Sequence, residues 1–265
     1  MSASHLSPYA GTRESLPGTG IWAPFPILGA TLLVLAVKSV CCQVDSPRLA
    51  DQVTTAQRMI VSANQLRAPK DAQKAIDRAR DHFLHGRHEL AQKEVQRALD
   101  ICPHYGLALA FQGIIDLGSG NNVQAQNAFQ RAIDDDSTLG SAYLGLGIVL
   151  NRQGRFKEAT VPLGRAAPLL PAAWLLHFES AWAHFGIGEF AVGLRDAKSA
   201  EGLAESDPEK LSGVAYLRGI AQLHFREFSD ANSYFEEAVR HDPKGTFATL
   251  AKRRMQQIRG LTESR

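Results

Sequence analysis

Cysteine is scarce, and its placement excludes a crosslinked scaffold. Three residues in 265, with Cys41 and Cys42 adjacent and Cys102 remote, give neither an even disulfide framework nor a Cys-x-x-Cys metal spacing. A charge excess is missing too. With 29 Lys+Arg against 27 Asp+Glu the formal charge is +2, which by itself predicts no nucleic-acid partner. The sequence also contains no Gly-x-Ser-x-Gly, no Gly-rich phosphate loop and no His-Glu-x-x-His, so catalysis lacks its usual signatures. His82, His85 and His88 recur every three residues, but Gly86 interrupts a helix between them. Asp134, Asp135 and Asp136 end a helical pattern before a turn, where a solvated face suffices. A non-enzyme is expected, without catalytic residues, cofactor or metal.

Long hydrophobic runs are equally rare, with one exception near the N-terminus. Residues 1–20 are rich in Ser, Gly, Pro and Thr and lack the apolar surface to offset ordering, so a disordered tail is expected. From Ile21 to Val37 seventeen residues carry no charge, and the span to Cys42 adds only Lys38. A membrane helix needs roughly 20 such residues. Lys38 can snorkel to the headgroups, Trp22 suits the opposite interface, and Pro24 and Pro26 fall where missing backbone donors matter least. Residues 21–42 therefore read as a single-pass anchor, with a cleaved export signal and a buried core helix as the alternatives. Either of the first two gives a membrane-attached or exported protein, periplasmic in a bacterium.

Beyond this segment the sequence repeats itself. Gly86, Ala91 and Ala98 recur as Gly120, Ala125 and Ala132, then as Gly154, Ala159 and Ala166, each time 34 residues later. A fourth copy begins at Trp174 with Gly188, Gly193 and Ala200. A fifth, with Ala231, Phe235, Ala238 and Pro243, follows four inserted residues, Pro208 to Leu211. The units are 72–105, 106–139, 140–173, 174–207 and 212–245. Residues 45–68 carry an apolar seam at Leu49, Val53, Ala56, Ile60 and Ala63, which suits an N-terminal capping helix, a coiled-coil pairing or a groove filler. Residues 246–259 place Phe247, Leu250, Ala251, Met255 and Ile258 at helical spacing and suit a C-terminal cap.

This pattern resembles the tetratricopeptide repeat (TPR) family. Its small position reads Ala79, Gly113, Gly147, Ala181 and Gly219, and its large position in the second helix reads Val95, Phe129, Leu163, Ala197 and Phe235. The closing position reads Pro103, Ser137, Pro171, Glu205 and Pro243, and Pro162 falls inside a second helix, where it should distort it. The resemblance covers about two-thirds of the chain. It implies an all-α solenoid of about five helix-turn-helix units with capping helices.

The resemblance further implies that the first helices line a concave groove. Carried over position by position, the lining comprises Ile76, Arg80, Phe83, Ala110, Asn151 and, as the partner-binding set, Ile114, Leu117, Leu144, Ile148, Phe178, Trp182, Phe185, Tyr216, Ile220 and Leu223. The places used elsewhere in the family to clamp a C-terminal carboxylate hold Ile76, Arg80, Phe111, Ser141 and Gly145, of which only Arg80 is basic. An amphipathic helix or extended hydrophobic segment is therefore the expected protein partner, and an acidic tail is not. The expected function is a scaffold that organises protein complexes, with membrane attachment through 21–42, no nucleic acid, and possible homo-oligomers. The alternative is a self-associating structural module whose groove is filled.

Overall fold

The structure, a computed structural model, describes residues 68–263. The expected tail, membrane span and N-terminal helix thus lie outside the described residues, apart from Ala68. Eleven helices are found among the described residues, and no strand. They are α1 (Lys70–Leu84), α2 (His88–Ile101), α3 (Gly106–Gly118), α4 (Asn122–Asp135), α5 (Gly140–Arg152), α6 (Phe156–Ala166), α7 (Trp174–Gly186), α8 (Phe190–Leu203), α9 (Pro208–His224), α10 (Phe228–His241) and α11 (Thr246–Glu263).

Each unit is a helical hairpin closed by a tight turn. In four of the five turns the residue with positive φ is a glycine, Gly86, Gly120, Gly154 or Gly188, because a side chain is strained there; the fifth turn uses Arg226 at φ 61°. Within each hairpin the two helices approach where one carries a small residue and the other a large one. A Cβ added to Gly113 would come within 2.8 Å of the Phe129 ring, and one on Gly147 within 2.5 Å of Leu163. The small and large positions read from the sequence are thus two sides of one steric fit.

The hairpins stack so that α1, α3, α5, α7, α9 and α11 each touch the next member of that row, whereas the second helices of neighbouring units make weaker contacts with one another. Closer spacing on one side than on the other curves the stack, with the first helices on the inner side. Burial follows the same division. Eleven of the thirteen residues of α3 are buried, while α2 and α10 each bury a stripe of three.

Three features depart from a regular array. The inserted residues 208–211 form an extra first turn on α9, started by Asp207, whose side chain accepts from the amides of Glu209 (3.0 Å) and Lys210 (3.2 Å). Pro162 lies inside α6, which has 11 residues where α2, α4, α8 and α10 have 14. Residues 167–173 then join α6 to α7, a longer connection than 136–139 or 204–207 at the neighbouring junctions. The C-terminal cap, α11, runs four residues further than the 246–259 expected. Its apolar side carries Phe247, Leu250, Ala251 and Ile258, while Lys252, Arg253 and Gln256 face solvent. Among the described residues no helix is long and apolar enough to cross a membrane.

Candidate interaction surface

The expected groove residues all lie on the inner row of helices, so the array does bring them together. Ile114 and Leu117 are on α3, Leu144 and Ile148 on α5, Phe178, Trp182 and Phe185 on α7, and Tyr216, Ile220 and Leu223 on α9. Their expected exposure is not found. Nine of the ten are buried, none more than 5% exposed, and only Leu223 is half-buried. The reason is that the aromatic members pack along the row. Trp174 stacks on Phe178 (ring centroids 4.8 Å apart), Phe178 on Trp182 (6.3 Å) and Trp182 on Tyr216 (6.5 Å), and Phe178 meets the edge of Phe247 on α11 at 5.5 Å. Each such pair adds about 1 kcal/mol beyond the area it buries, which holds α7, α9 and α11 together. Accessible surface on the first helices is found at Leu223, at the half-buried Arg80 and Arg152, and at Leu84, the last residue of α1.

One polar cluster interrupts the apolar inner row. Asn151, at the end of α5, is fully buried, and its Nδ2 donates to Glu179 of α7 twice, to the main-chain O at 2.9 Å and to Oε2 at 2.8 Å. Its Oδ1 accepts no hydrogen bond among the described residues. The neighbouring Arg152 donates through Nη1 to the main-chain O of Leu117 on α3 at 3.0 Å. The two residues that end α5 therefore tie the second, third and fourth units together. Burial pushes the Glu179 carboxyl up to about 7, against the opposing effects of the Asn151 hydrogen bond and the Arg152 charge. Asn151 is legible in the sequence as groove lining. Glu179 is not, since its partner lies 28 residues away; a lone carboxylate between Phe178 and Trp182 is the only hint.

Of the histidines and aspartates weighed as metal ligands, all but His82, whose buried Nδ1 has no hydrogen-bond partner among the described residues, are engaged separately. His85 contacts the main-chain O of Asp81 at 2.7 Å, and His88 packs edge-on against Phe83 at 5.0 Å. Asp134 accepts from Gln130, Asp135 pairs with His104 at 3.1 Å, and Asp136 accepts from the amide and hydroxyl of Thr138. Between first and second helices, Arg218 of α9 pairs with Glu201 of α8 at 2.6 Å, and His184 of α7 with Asp196 of α8 at 2.7 Å, half-buried, with Glu189 at 3.9 Å.

Comparison with known proteins agrees with this architecture. Residues 112–174 match the family model described as tetratricopeptide repeat. Tetratricopeptide repeat protein 6 of Homo sapiens is 28% identical over 185 residues, covering 66% of this chain and 33% of that protein. The chain thus spans about a third of the length of this curated relative. Among solved structures, TTC0263, a thermophilic TPR protein of Thermus thermophilus, superposes with a TM-score of 0.53 at 20% identity, covering 71% of this chain and 98% of that one. YrrB, a TPR protein described as having an unusual peptide-binding site, gives 0.55 at 19%, covering 69% and 92%. PilW, a widely conserved type IV pilus biogenesis factor, gives 0.60 at 14%, covering 74% and 94%. The described residues have the fold of a TPR solenoid.

Proposed function

We propose that the chain is a protein-binding scaffold that holds a partner along its first helices and organises the assembly of a complex. The observation that carries this reading is the TPR solenoid fold itself, whose stacked hairpins set their first helices in one continuous row with Arg80, Leu84, Arg152 and Leu223 accessible along it. TPR domains bind proteins or peptides in general; YrrB has an unusual peptide-binding site, and PilW is a type IV pilus biogenesis factor. Here the partner is an amphipathic helix or an extended hydrophobic segment, because the carboxylate-clamping places are apolar or small except for Arg80. Residues 21–42 attach the array to a membrane or export it, with the repeat units on the exported side.

A photocrosslinking amino acid in the full-length chain tests the row. It replaces Arg80 or Leu223 on first helices, and Val123 or Val161, both 67% exposed, on second helices. The same adduct from the first two positions and none from the last two is expected. Adducts from the second helices alone, or from neither row, would refute the reading.

The burial of nine of the ten groove residues favours a second reading, in which the inner face is structural and copies of the chain pair through Leu49 to Ala63. Light scattering separates the two: a stable dimer lost on Val53→Asp and Ile60→Asp supports self-association, and a monomer excludes it.

A further inference from the structure

The aromatic stack and α11 account for the burial of the lining on α7 and α9. They do not reach α3. The described helices packed against α3 are its hairpin partner α4, α2 of the preceding unit, and α1 and α5 beside it in the row. All four lie behind or beside it, yet Ala110, Ile114 and Leu117 on its inner side are 0%, 2% and 4% exposed. A helix that is apolar all round, as α3 is, needs cover on that side as well.

The chain enters the array from the same side. Gln73 precedes the lining residues Ile76 and Arg80 by three and seven positions, so it shares the inner side of α1, and its Nε2 donates to the main-chain O of the buried Ala68 at 2.8 Å. Upstream of Ala68 lies the apolar seam Leu49, Val53, Ala56, Ile60 and Ala63, which steps by four and three residues as one face of a helix does. A lone helix of this length is marginal in water and needs an apolar surface to pack on. Its reach is about 22 Å at 1.5 Å per residue, and packed helices lie about 8–10 Å apart, so from α1 it crosses α3 and α5.

The outer end of the array offers it no comparable surface. Lys74 of α1 recurs one and two units later as Ala108 and Ala142, and Asp81 as Ile115 and Val149; these four are buried, whereas Lys74 and Asp81 are exposed. Positions that are dry wherever a unit precedes are thus already polar on the first unit, which a capping helix would have to bury.

From these observations we infer that residues 49–63 lie as an amphipathic helix across the inner sides of α1, α3 and α5 of their own chain, with the seam turned onto Ile114, Leu117, Leu144 and Ile148. The inference rests on the proposed binding row and names its resident occupant, which a partner helix must replace. It also assigns the seam to the row rather than to a second copy of the chain.

The test uses the detergent-solubilised full-length chain with a photocrosslinking amino acid, bearing a short aliphatic diazirine, at Ile60. Chains of two isotopic masses are mixed before irradiation and the adducts are mapped by mass spectrometry. Links within one chain, onto residues 106–118 or 140–152, are expected. Links joining chains of different mass, links onto second helices or onto the polar side of α1, or no link to the array, would overturn the inference. Adding Val53→Asp is expected to lower the yield about tenfold, because a charge then faces a dry apolar row; an unchanged yield would equally overturn it. Should that variant not fold, the map obtained without it still decides. The partner test at Arg80 and Leu223 reads mass added from another protein, whereas this one reads a link within the chain, so either can fail alone.

Discussion

The ring of Phe129, on the second helix of the second unit, occupies the space that a Cβ on Gly145, in the first helix of the third, would need. Phe129 fills the same role towards Gly113 of its own unit, so one side chain keys two hairpins together. Gly145→Ala is therefore expected to destabilise by about 2 kcal/mol, because the overpacking cost exceeds the gain in helix propensity. Gly164→Ala is the control. Nothing lies within 4 Å of its added Cβ, and it is expected to stabilise by about 0.5–1 kcal/mol. Thermal denaturation followed by circular dichroism measures both.

Arg226 holds a positive φ of 61° where the other four hairpin turns have glycine. Arg226→Gly removes a conformational strain of about 1–2 kcal/mol, part of which is offset by the freer unfolded chain. A rise in midpoint temperature equivalent to about 1 kcal/mol is expected; a fall would mean that the arginine side chain stabilises the turn by more than the strain costs.

Glu179 gives the stability of the array a pH dependence of definite sign. The folded carboxyl titrates near 7 and the unfolded one near 4.5, so the folded protein binds more protons in between. Stability is greatest below about pH 4.5 with respect to this group and falls as pH rises, by about 3 kcal/mol once the folded carboxyl is fully ionised. In melts between pH 5 and pH 8 the unsubstituted protein is expected to lose stability relative to Glu179→Gln, and parallel curves would contradict this.

Asp207 caps the extra turn of α9 with two amide hydrogen bonds. Asp207→Ala is expected to cost about 1 kcal/mol and to raise exchange at the first turn of α9 before that of α10. Asp207→Asn, which keeps an accepting oxygen, is expected to restore most of the loss.

Much of the fold is legible in the sequence because the constraint behind it is local and repeated. Gly113 must be small since Phe129 is large, and that relation recurs every 34 residues as Gly147 with Leu163, and again as Gly219 with Phe235. The inner face is read less well. Positions such as Trp182 and Tyr216 are assigned correctly to the first-helix row, yet their burial depends on how sharply successive hairpins curve, which no single unit encodes. Asn151 and Glu179 meet only through that curvature, and the turn formed by 208–211 follows from Asp207 and Pro208 in a place outside the repeat register.

The solvent-facing side of α11 has a consequence for how such an array can lengthen. A repeat protein grows by duplicating a hairpin, and each new copy needs a receptive surface on the last one. Thr249, Lys252, Arg253 and Gln256 stand where a following second helix would have to dock, and they would bring two cations and two polar groups into a dry joint. Duplication at this end therefore requires those residues to become small and apolar first, whereas insertion of a whole unit between existing hairpins requires no such change.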